Sequence, residues 1–294
     1  MKQILFTICS LLCFISCSGL ALAAPVQEKL RVVVLNVGEG QAILLKRGSH
    51  GALIDTGHAG MATHVLSRIK AYDIDMLDYI ILTHLHPDHA SGYFRLREAF
   101  PKAIVIDSHH PLPADKGPDM VRWVNMALDQ DCQRRKIKAG DTINWQGVTI
   151  QALWPGKFVN NKLNKHSVVL LIQQGQERIL IMADADQGVE QQLMAQGVLP
   201  GPVSMLVVGH HGANDASTQA FLSVVKPQLC AISVNHNNIR GYPAPQTMIR
   251  LQEACNTVLR TDVDGELCFE SGLSHTSFLQ RCIQKNEQPH LSTE

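Results

Sequence analysis

Short apolar runs alternate with amphipathic stretches along most of this chain, and the pattern predicts a layered α/β fold. Strand-like runs, several of them bounded by glycine turns, occupy residues 32–37, 42–45, 52–54, 79–83, 168–172, 178–182 and 203–208. Stretches with one apolar face, typical of helices that cover a core, occupy 58–71, 118–130, 217–225 and 244–254. Two strand-rich halves, each covered by helices, predict an αββα sandwich of four layers.

Histidine and aspartate recur where four of these strands end. Asp55 follows the third strand, the segment His84–His89 follows the fourth, Asp184 follows the strand at 178–182, and His210 and His211 follow the strand at 203–208. We therefore expect one edge of the sheets to collect these side chains into a single site.

The loop His84-Leu85-His86-Pro87-Asp88-His89 places three imidazoles and a carboxylate within six residues. Neutral imidazole and carboxylate groups are ligands for a borderline ion such as zinc, and a tight loop can direct alternate side chains to two different ions. A solvated histidine cluster that binds nothing is the alternative. The spacing of this motif at a strand end favours a metal site.

Several further segments match one known family. They are Asn36 to Ala42, Leu53 to Gly57, Asn164 to Leu171, Ala183-Asp184, His210-His211-Gly212, Ile232 to Val234 with Asn238, and Arg260 to Asp262. Together with the metal loop, these segments resemble the metallo-β-lactamase superfamily, and within it the hydrolase domain of the ComEC competence proteins. The resemblance implies an αββα fold, two divalent ions with a metal-activated water, and a phosphodiester substrate such as nucleic acid.

Carried over residue by residue, the resemblance implies six metal ligands. His84 and His86 would hold a first ion, Asp88 and His89 a second, Asp184 would bridge the two, and His210 would complete the second site. The sequence leaves open whether His210 or His211 is the ligand. Zinc is the preferred ion, with manganese as an alternative.

The resemblance also places Asp88 in the catalytic centre, and His211 and His236 are the candidates for a general acid. Asp55 is expected to orient a metal-bound histidine through its other ring nitrogen rather than to bind metal itself. His166 stands where related enzymes carry a further histidine ligand, and it is either that ligand or a packed side chain.

Four positions depart from the family pattern, and one of them is Ala183, which replaces a glycine before the retained Asp184. Asn36 and Gln41 carry amides where the family has carboxylates, and Tyr242 replaces a histidine in the segment from Asn238 to Pro243. A phenol is not an equivalent proton shuttle near neutral pH. Metal binding is therefore expected to be preserved while substrate handling differs.

The first residues are predicted to be an export signal rather than part of the fold. Lys2 precedes the apolar stretch 4–15, and Ala21-Leu22-Ala23 forms a small-x-small cleavage site, which leaves residues 24–294 as one hydrolase domain. A lipid anchor at Cys17 is the less favoured alternative. We expect a secreted or periplasmic protein without a transmembrane anchor.

Five cysteines remain after the signal: Cys132, Cys230, Cys255, Cys268 and Cys282. An odd number leaves at least one thiol unpaired within the chain. The last three are close in sequence and predict one local disulfide without fixing its partners. None has the spacing of a redox or zinc motif, so a structural role is expected.

Charge gives only partial support to a nucleic-acid substrate. The full chain has 26 basic and 26 acidic residues, and the signal removes one lysine and no acid, so the mature net charge is −1. The one dense basic run, Arg134 to Lys138, is either a phosphate contact or a solvated turn. The loop at 107–117 contains His109 and His110 and is expected to be solvated or to overhang the site.

Because charge only partly supports a nucleic-acid substrate and several family positions differ, two other functions stay open. One is hydrolysis of a small or cell-envelope phosphoester, a lactone or a lactam. The other is a non-catalytic scaffold that binds nucleic acid or a partner protein. A nearly complete set of ligands argues against the scaffold, because buried and unpaired histidines and carboxylates are costly to keep without ions.

Overall fold

A computed structural model describes residues 28–108, 119–155 and 162–272, and two seven-stranded sheets run through these residues. The predicted export signal, Cys17, Cys282 and the pair His109-His110 lie outside them. The strands are β1 (Arg31–Val34), β2 (Ile43–Arg47), β3 (His50–Ile54), β4 (Met76–Leu82), β5 (Ile104–Ser108), β6 (Arg134–Ile137), β7 (Thr142–Trp145), β8 (Val148–Trp154), β9 (Val169–Gln174), β10 (Glu177–Ile181), β11 (Met205–Val207), β12 (Leu229–Ile232), β13 (Thr257–Arg260) and β14 (Leu267–Glu270).

Eight α-helices connect or follow these strands in the described residues. They are α1 (Ala62–Ala71), α2 (Pro87–Ala90), α3 (Tyr93–Ala99), α4 (Asp119–Gln130), α5 (Gln187–Ala195), α6 (Gln219–Val225), α7 (Pro245–Ala254) and α8 (Thr261–Asp264). Short 3-10 helices occupy Ala59–Met61, Leu163–His166 and Gly209–Gly212. None of the helices in the described ranges has the length and apolarity needed to cross a membrane.

The sheets stack with three apolar layers between and around them. Alternate residues of β1 to β5, such as Val32 and Ile81, face alternate residues of β8 to β12, such as Ile172 and Val207, in the central core. The opposite faces pack against helices, with α1, α3 and α4 on the first sheet and α5, α6 and α7 on the second. The predicted αββα sandwich is thereby confirmed.

Strand direction explains why one edge holds the polar side chains. In the first sheet, β3, β4, β5 and β6 are parallel neighbours, and in the second sheet β10, β11, β12 and β13 are parallel neighbours. Parallel strands place their carboxyl ends at the same edge of a sheet, and ligands collect there in open α/β sheets. The ends of β3, β4, β10 and β11 therefore supply the candidate site.

The basic run was expected to be a solvated turn or a phosphate contact, but it forms the edge strand β6. Arg134 is largely buried and forms ion pairs with Asp107, at 2.6 Å, and with Asp129. Arg135 and Lys136 are exposed. The turn prediction was wrong because the carboxylate on β5 pairs with Arg134 and favours strand pairing there.

A disulfide joins Cys230 on β12 to Cys255 after α7, with Cα atoms 6.0 Å apart. The helix α7 crosses between the parallel strands β12 and β13, which returns the chain to the neighbourhood of Cys230. Sequence proximity alone did not identify this pair. Cys268 is also disulfide-bonded, whereas Cys132 is exposed and carries a free thiol.

Candidate metal centre

Buried hydrogen bonds around Asp55 hold the metal loop in place. Asp55 is fully buried and accepts hydrogen bonds from the backbone and the hydroxyl of Thr83, both at 2.8 Å, and from the Gln41 amide at 2.9 Å. Its Oδ2 also lies 2.7 Å from Nδ1 of His89. Asp55 thus occupies the orienting position predicted for it, beside a histidine ring and away from the ring's other nitrogen.

The substitution at Gln41 fits this arrangement. A second carboxylate at this position would lie against the buried Asp55 carboxylate and repel it. The Gln41 amide instead donates a hydrogen bond to Asp55. One of the two amide replacements in the first turn therefore has a structural role in supporting His89.

The first group of candidate ligands consists of His84, His86 and Asp184. Nε2 of His84 lies 2.9 Å from Nδ1 of His86 and 3.6 Å from Oδ2 of Asp184. His84 and Asp184 are buried, whereas the side chain of His86 is 32% exposed. This group faces the open side of the site.

The second group consists of Asp88, His89 and His211, and Asp184 also reaches it through Oδ1. Nε2 of His89 and Nε2 of His211 lie 3.3 Å apart, and they are 3.1 Å and 3.4 Å from Oδ1 of Asp184. Oδ2 of Asp88 is 3.7 Å from Nε2 of His211. The two oxygens of Asp184 thus face different groups.

These distances fit metal ions. Two ligands bound at about 2.0–2.1 Å with a tetrahedral angle are roughly 3.3–3.4 Å apart, which matches the spacing of the second group. Oδ1 of Asp184 is buried and, within the described residues, no donor reaches it with hydrogen-bond geometry. A buried carboxylate oxygen without a donor is costly unless a cation satisfies it, so the histidine and aspartate groups fit a metal site.

At His86 and Asp184, burial and neighbouring charges favour the protonation states that metal binding requires. Burial and the neighbouring His84 lower the pKa of His86 to about 4, so its imidazole is neutral at pH 7. Burial opposes ionisation of Asp184, but His89 and His211 outweigh it and hold the pKa of this carboxyl well below its usual range. His86 and Asp184 are therefore both ready to act as ligands.

The paired histidines differ from the prediction in which of them lies with the second group. His211, rather than His210, lies with Asp88 and His89, and its Nδ1 contacts the Ser233 carbonyl at 2.9 Å. Both histidines adopt left-handed backbone conformations, with φ of 50° and 54°. This turn directs the His211 ring inward, so the assignment of His210 to the second site needs correction.

His210 instead borders the first group. Its Nε2 lies 4.0 Å from Oδ2 of Asp184 and 3.2 Å from the Asn164 amide, and its Nδ1 lies 3.2 Å from Asp215. The ring of Tyr242 packs edge-on against it, with centroids 5.6 Å apart. The position of Asn164 beside the site was missed, although the residue belongs to a segment that matched the family.

Two other candidate histidines lie outside both groups. His236 is 72% exposed and its ion-pair contact is with Asp262, at 3.8 Å, so the structure does not bring it to the metal groups. The loop after β12 turns this side chain outward. His166 is buried at the end of a 3-10 helix and lines a small cavity next to His84, which agrees with a packed side chain.

Comparison with known proteins agrees with this geometry. Residues 35–231 match the model of the metallo-beta-lactamase superfamily, and the chain belongs to that superfamily of metal-dependent hydrolases. Recombination protein 2 of Haemophilus influenzae is 30% identical over 262 residues, which cover 87% of this chain and 30% of that protein. Competence protein ComA of Neisseria gonorrhoeae is 27% identical over 249 residues, which cover 84% and 33%.

The chain spans about a third of the length of these two relatives. The metallo-beta-lactamase fold protein YhfI of Bacillus subtilis matches with a TM-score of 0.56 and 14% identity, covering 83% of this chain and 100% of that one. At this identity the match shows the fold alone. The predicted family and its relation to competence proteins are confirmed.

Proposed function

We propose that this protein is an exported phosphodiesterase that cleaves nucleic acid at a site with two metal ions. The observation that carries this proposal is the position of Asp184, whose two oxygens face two separate groups of ligands. Two-metal sites suit phosphodiesters because they stabilise both the attacking and the leaving oxygen. The names of the two bacterial relatives, a recombination and a competence protein, favour DNA as the polymer.

Each ion would have ligands from both sheets. His84, His86 and Asp184 would hold one ion, and Asp88, His89, His211 and Asp184 would hold the other. The mixture of imidazole and carboxylate suits zinc first, and manganese as an alternative. When bound, such ions lower the pKa of a coordinated water toward neutrality.

His210 takes the role of proton donor to the leaving oxygen in this proposal. Among the described residues, it is a histidine within 4.0 Å of Asp184 that belongs to neither ligand group, and its side chain is partly exposed. Asp215 contacts Nδ1 and orients the ring, and the Asn164 amide nitrogen, itself a donor, lies at Nε2 and would have to give way to the substrate when Nε2 carries the proton. Tyr242 packs against the same ring, which gives this substitution a positioning role that a phenol can fulfil.

Export is the second part of the proposal. The sequence of residues 1–23 carries the features of a signal, and the disulfide between Cys230 and Cys255 agrees with an oxidising compartment. Fractionation of cells that express the full chain tests this part. We expect the protein outside the cytoplasm and shortened by 23 residues, and a full-length cytoplasmic product would contradict export.

Metal content and cleavage of several substrates test the catalytic part. The chain from Ala24 is purified and its metals are counted by mass spectrometry. Cleavage of linear DNA, RNA and bis(p-nitrophenyl) phosphate is then followed with added zinc or manganese. Asp184→Ala serves as the inactive variant, and Glu253→Ala, which removes an exposed carboxylate on α7, serves as the matched control.

The proposal expects two ions per chain and DNA cleavage that falls more than about hundredfold in Asp184→Ala but not in Glu253→Ala. Metal binding with hydrolysis of only the small diester would favour a small or envelope phosphoester, a second candidate that the mature charge of −1 supports. Absence of bound metal would leave the non-catalytic scaffold.

A further inference from the structure

One arginine lies beside the second group of ligands at the mouth of the site. Nη1 of Arg240 is 3.8 Å from Oδ2 of Asp88 and 3.0 Å from Oε1 of Glu39. The side chains of Arg240 and Glu39 are 47% and 42% exposed. Among the residues that the structure describes, Arg240 is the only Lys or Arg whose charged group lies within 4.0 Å of a carboxylate of either metal group.

The two loops that carry this pair are both fixed to the site. The Asn238 side chain exchanges hydrogen bonds with the backbone of Tyr242 on both sides, at 2.6 Å and 2.7 Å, which holds the turn that contains Arg240. Gly40, next to Glu39, packs so closely on the metal loop that an added Cβ would lie 1.9 Å from the Asp88 carbonyl oxygen. These contacts restrain the backbone on both sides of the pair, and Glu39 positions the guanidinium near Asp88.

Other basic side chains near the sheet edge have closer acidic partners. Lys165 lies 2.5 Å from Asp186, and Arg260 makes two hydrogen bonds to Asp262 at 3.0 Å and 2.6 Å. Arg240 has a 3.0 Å contact with Glu39, and the shortest contacts to Glu39 and Asp88 are both made by Nη1. In the part of the chain that the structure describes, no hydrogen bond engages its other guanidinium nitrogens, so an anion at the mouth can reach them.

An exposed ion pair of this kind contributes little to stability. A phosphate accepts two parallel hydrogen bonds from a guanidinium, and such charge-assisted pairs are stronger than a single contact to a carboxylate. A phosphate at the mouth can thus replace Glu39 as the partner of Arg240. In the proposed function the cleaved phosphate would bind between the two groups of ligands, and Arg240 lies outside both groups with its shorter contact to Glu39.

We infer that Arg240 binds a phosphate next to the scissile one, so that the site prefers a polynucleotide to an isolated phosphodiester. Glu39 holds the guanidinium in place until that phosphate replaces it. This inference rests on the proposed phosphodiesterase function and adds a residue that selects the polymer.

Three variants and two substrates test the inference. Arg240→Gln removes the cation, and Glu39→Gln removes the carboxylate that competes with phosphate for it. Lys102→Gln is the matched control, because it removes an exposed positive charge before the amino end of β5, away from the site edge. For each metal-loaded protein, kcat and KM are measured with a single-stranded 12-nucleotide DNA and with bis(p-nitrophenyl) phosphate. The Kd of the oligonucleotide is also measured by fluorescence anisotropy at several salt concentrations.

Arg240→Gln is expected to lower kcat/KM for the oligonucleotide about tenfold more than for the small diester, mainly through KM. The slope of log K against log salt should fall by about 0.7, as expected for one lost phosphate contact to a single strand. Glu39→Gln should change KM and Kd in the opposite direction, toward tighter binding. Lys102→Gln should leave the ratio between the two substrates as it is in the wild type.

Arg240→Gln and Glu39→Gln together also distinguish phosphate binding by Arg240 from a purely structural role of the Arg240–Glu39 ion pair. If Arg240 and Glu39 only stabilise the loops, both variants will weaken binding in the same direction, and the inference is overturned. Equal losses of kcat/KM on both substrates in Arg240→Gln would overturn the inference as well. If the wild type cleaves neither substrate, the proposed phosphodiesterase function has failed, and the salt slope of Arg240→Gln in anisotropy still decides whether Arg240 contacts phosphate.

Discussion

The two groups of ligands share Asp184 but differ in how the protein supports them. In the second group, His89 is held at Nδ1 by Asp55 and His211 is held at Nδ1 by the Ser233 carbonyl, and both rings are buried. In the first group, His84 has a 3.2 Å contact with the Thr83 hydroxyl. The Nε2 atom of His86 has no hydrogen-bond partner within the described residues, and this ring is partly exposed.

This difference predicts unequal metal affinity. Partners that fix the orientation of a histidine raise its basicity and reduce the freedom that it loses when it binds metal, and their removal costs about 10- to 100-fold in affinity. The second group has two such partners, and both of its histidine rings are buried, whereas the first has one weaker contact. We expect the second group to hold its ion more tightly and the first group to exchange its ion with solvent.

We expect the largest effect to be a difference in retained metal between His211→Ala and His86→Ala. His211→Ala removes a buried ligand of the tighter site, and we expect its retained metal to fall below that of His86→Ala, which should keep about one ion per chain. Metal content after dialysis against a weak chelator measures this. His236→Ala removes an exposed histidine outside both groups and serves as the control. Equal metal loss in the first two variants would show that the groups are not different.

A smaller effect is expected from Asp55→Asn, which keeps the size of the side chain but removes its charge. The loss of the orienting carboxylate should lower affinity for the tighter ion about 10- to 100-fold and leave the weaker ion nearly unaffected. Competition with a coloured chelator measures both affinities. Thermal unfolding of the metal-free variant is recorded beside it, because the hydrogen bonds from Thr83 also change. A uniform loss at both sites would point to a general structural defect.

The smallest predicted effect is a release of protons from His89 when metal binds to the second group. Burial alone lowers the pKa of His89, but the carboxylates of Asp184 and Asp55 outweigh it and raise that pKa well above the usual value. The metal-free imidazole is thus protonated at pH 7, and metal binding must displace that proton. Calorimetry in buffers with different ionisation enthalpies should show a release of about one proton, which diminishes as the pH rises through this pKa. A heat that is independent of the buffer at pH 7 would contradict this.

The sequence allowed the fold and most members of the two candidate ligand groups to be predicted, because strand ends and the metal loop are local patterns. The choice between His210 and His211 depended on two consecutive left-handed residues, which no local pattern required of histidine. His236 was assigned to catalysis from its residue type, but its direction is set by a loop that the sequence does not specify. Arg134 shows the same limit, since its partner Asp107 comes from a neighbouring strand.

Each ligand group takes residues from the ends of strands in both sheets, with His84 to His89 after β4 and Asp184 and His211 after β10 and β11. With ions bound as proposed, each ion ties one half of the sandwich to the other. Ligand binding to the folded state alone adds about 2.7 kcal/mol to stability at a free concentration one hundred times Kd. The abundance of the folded protein would then follow the supply of metal in its compartment, so that metal starvation would deplete the protein itself as well as its activity.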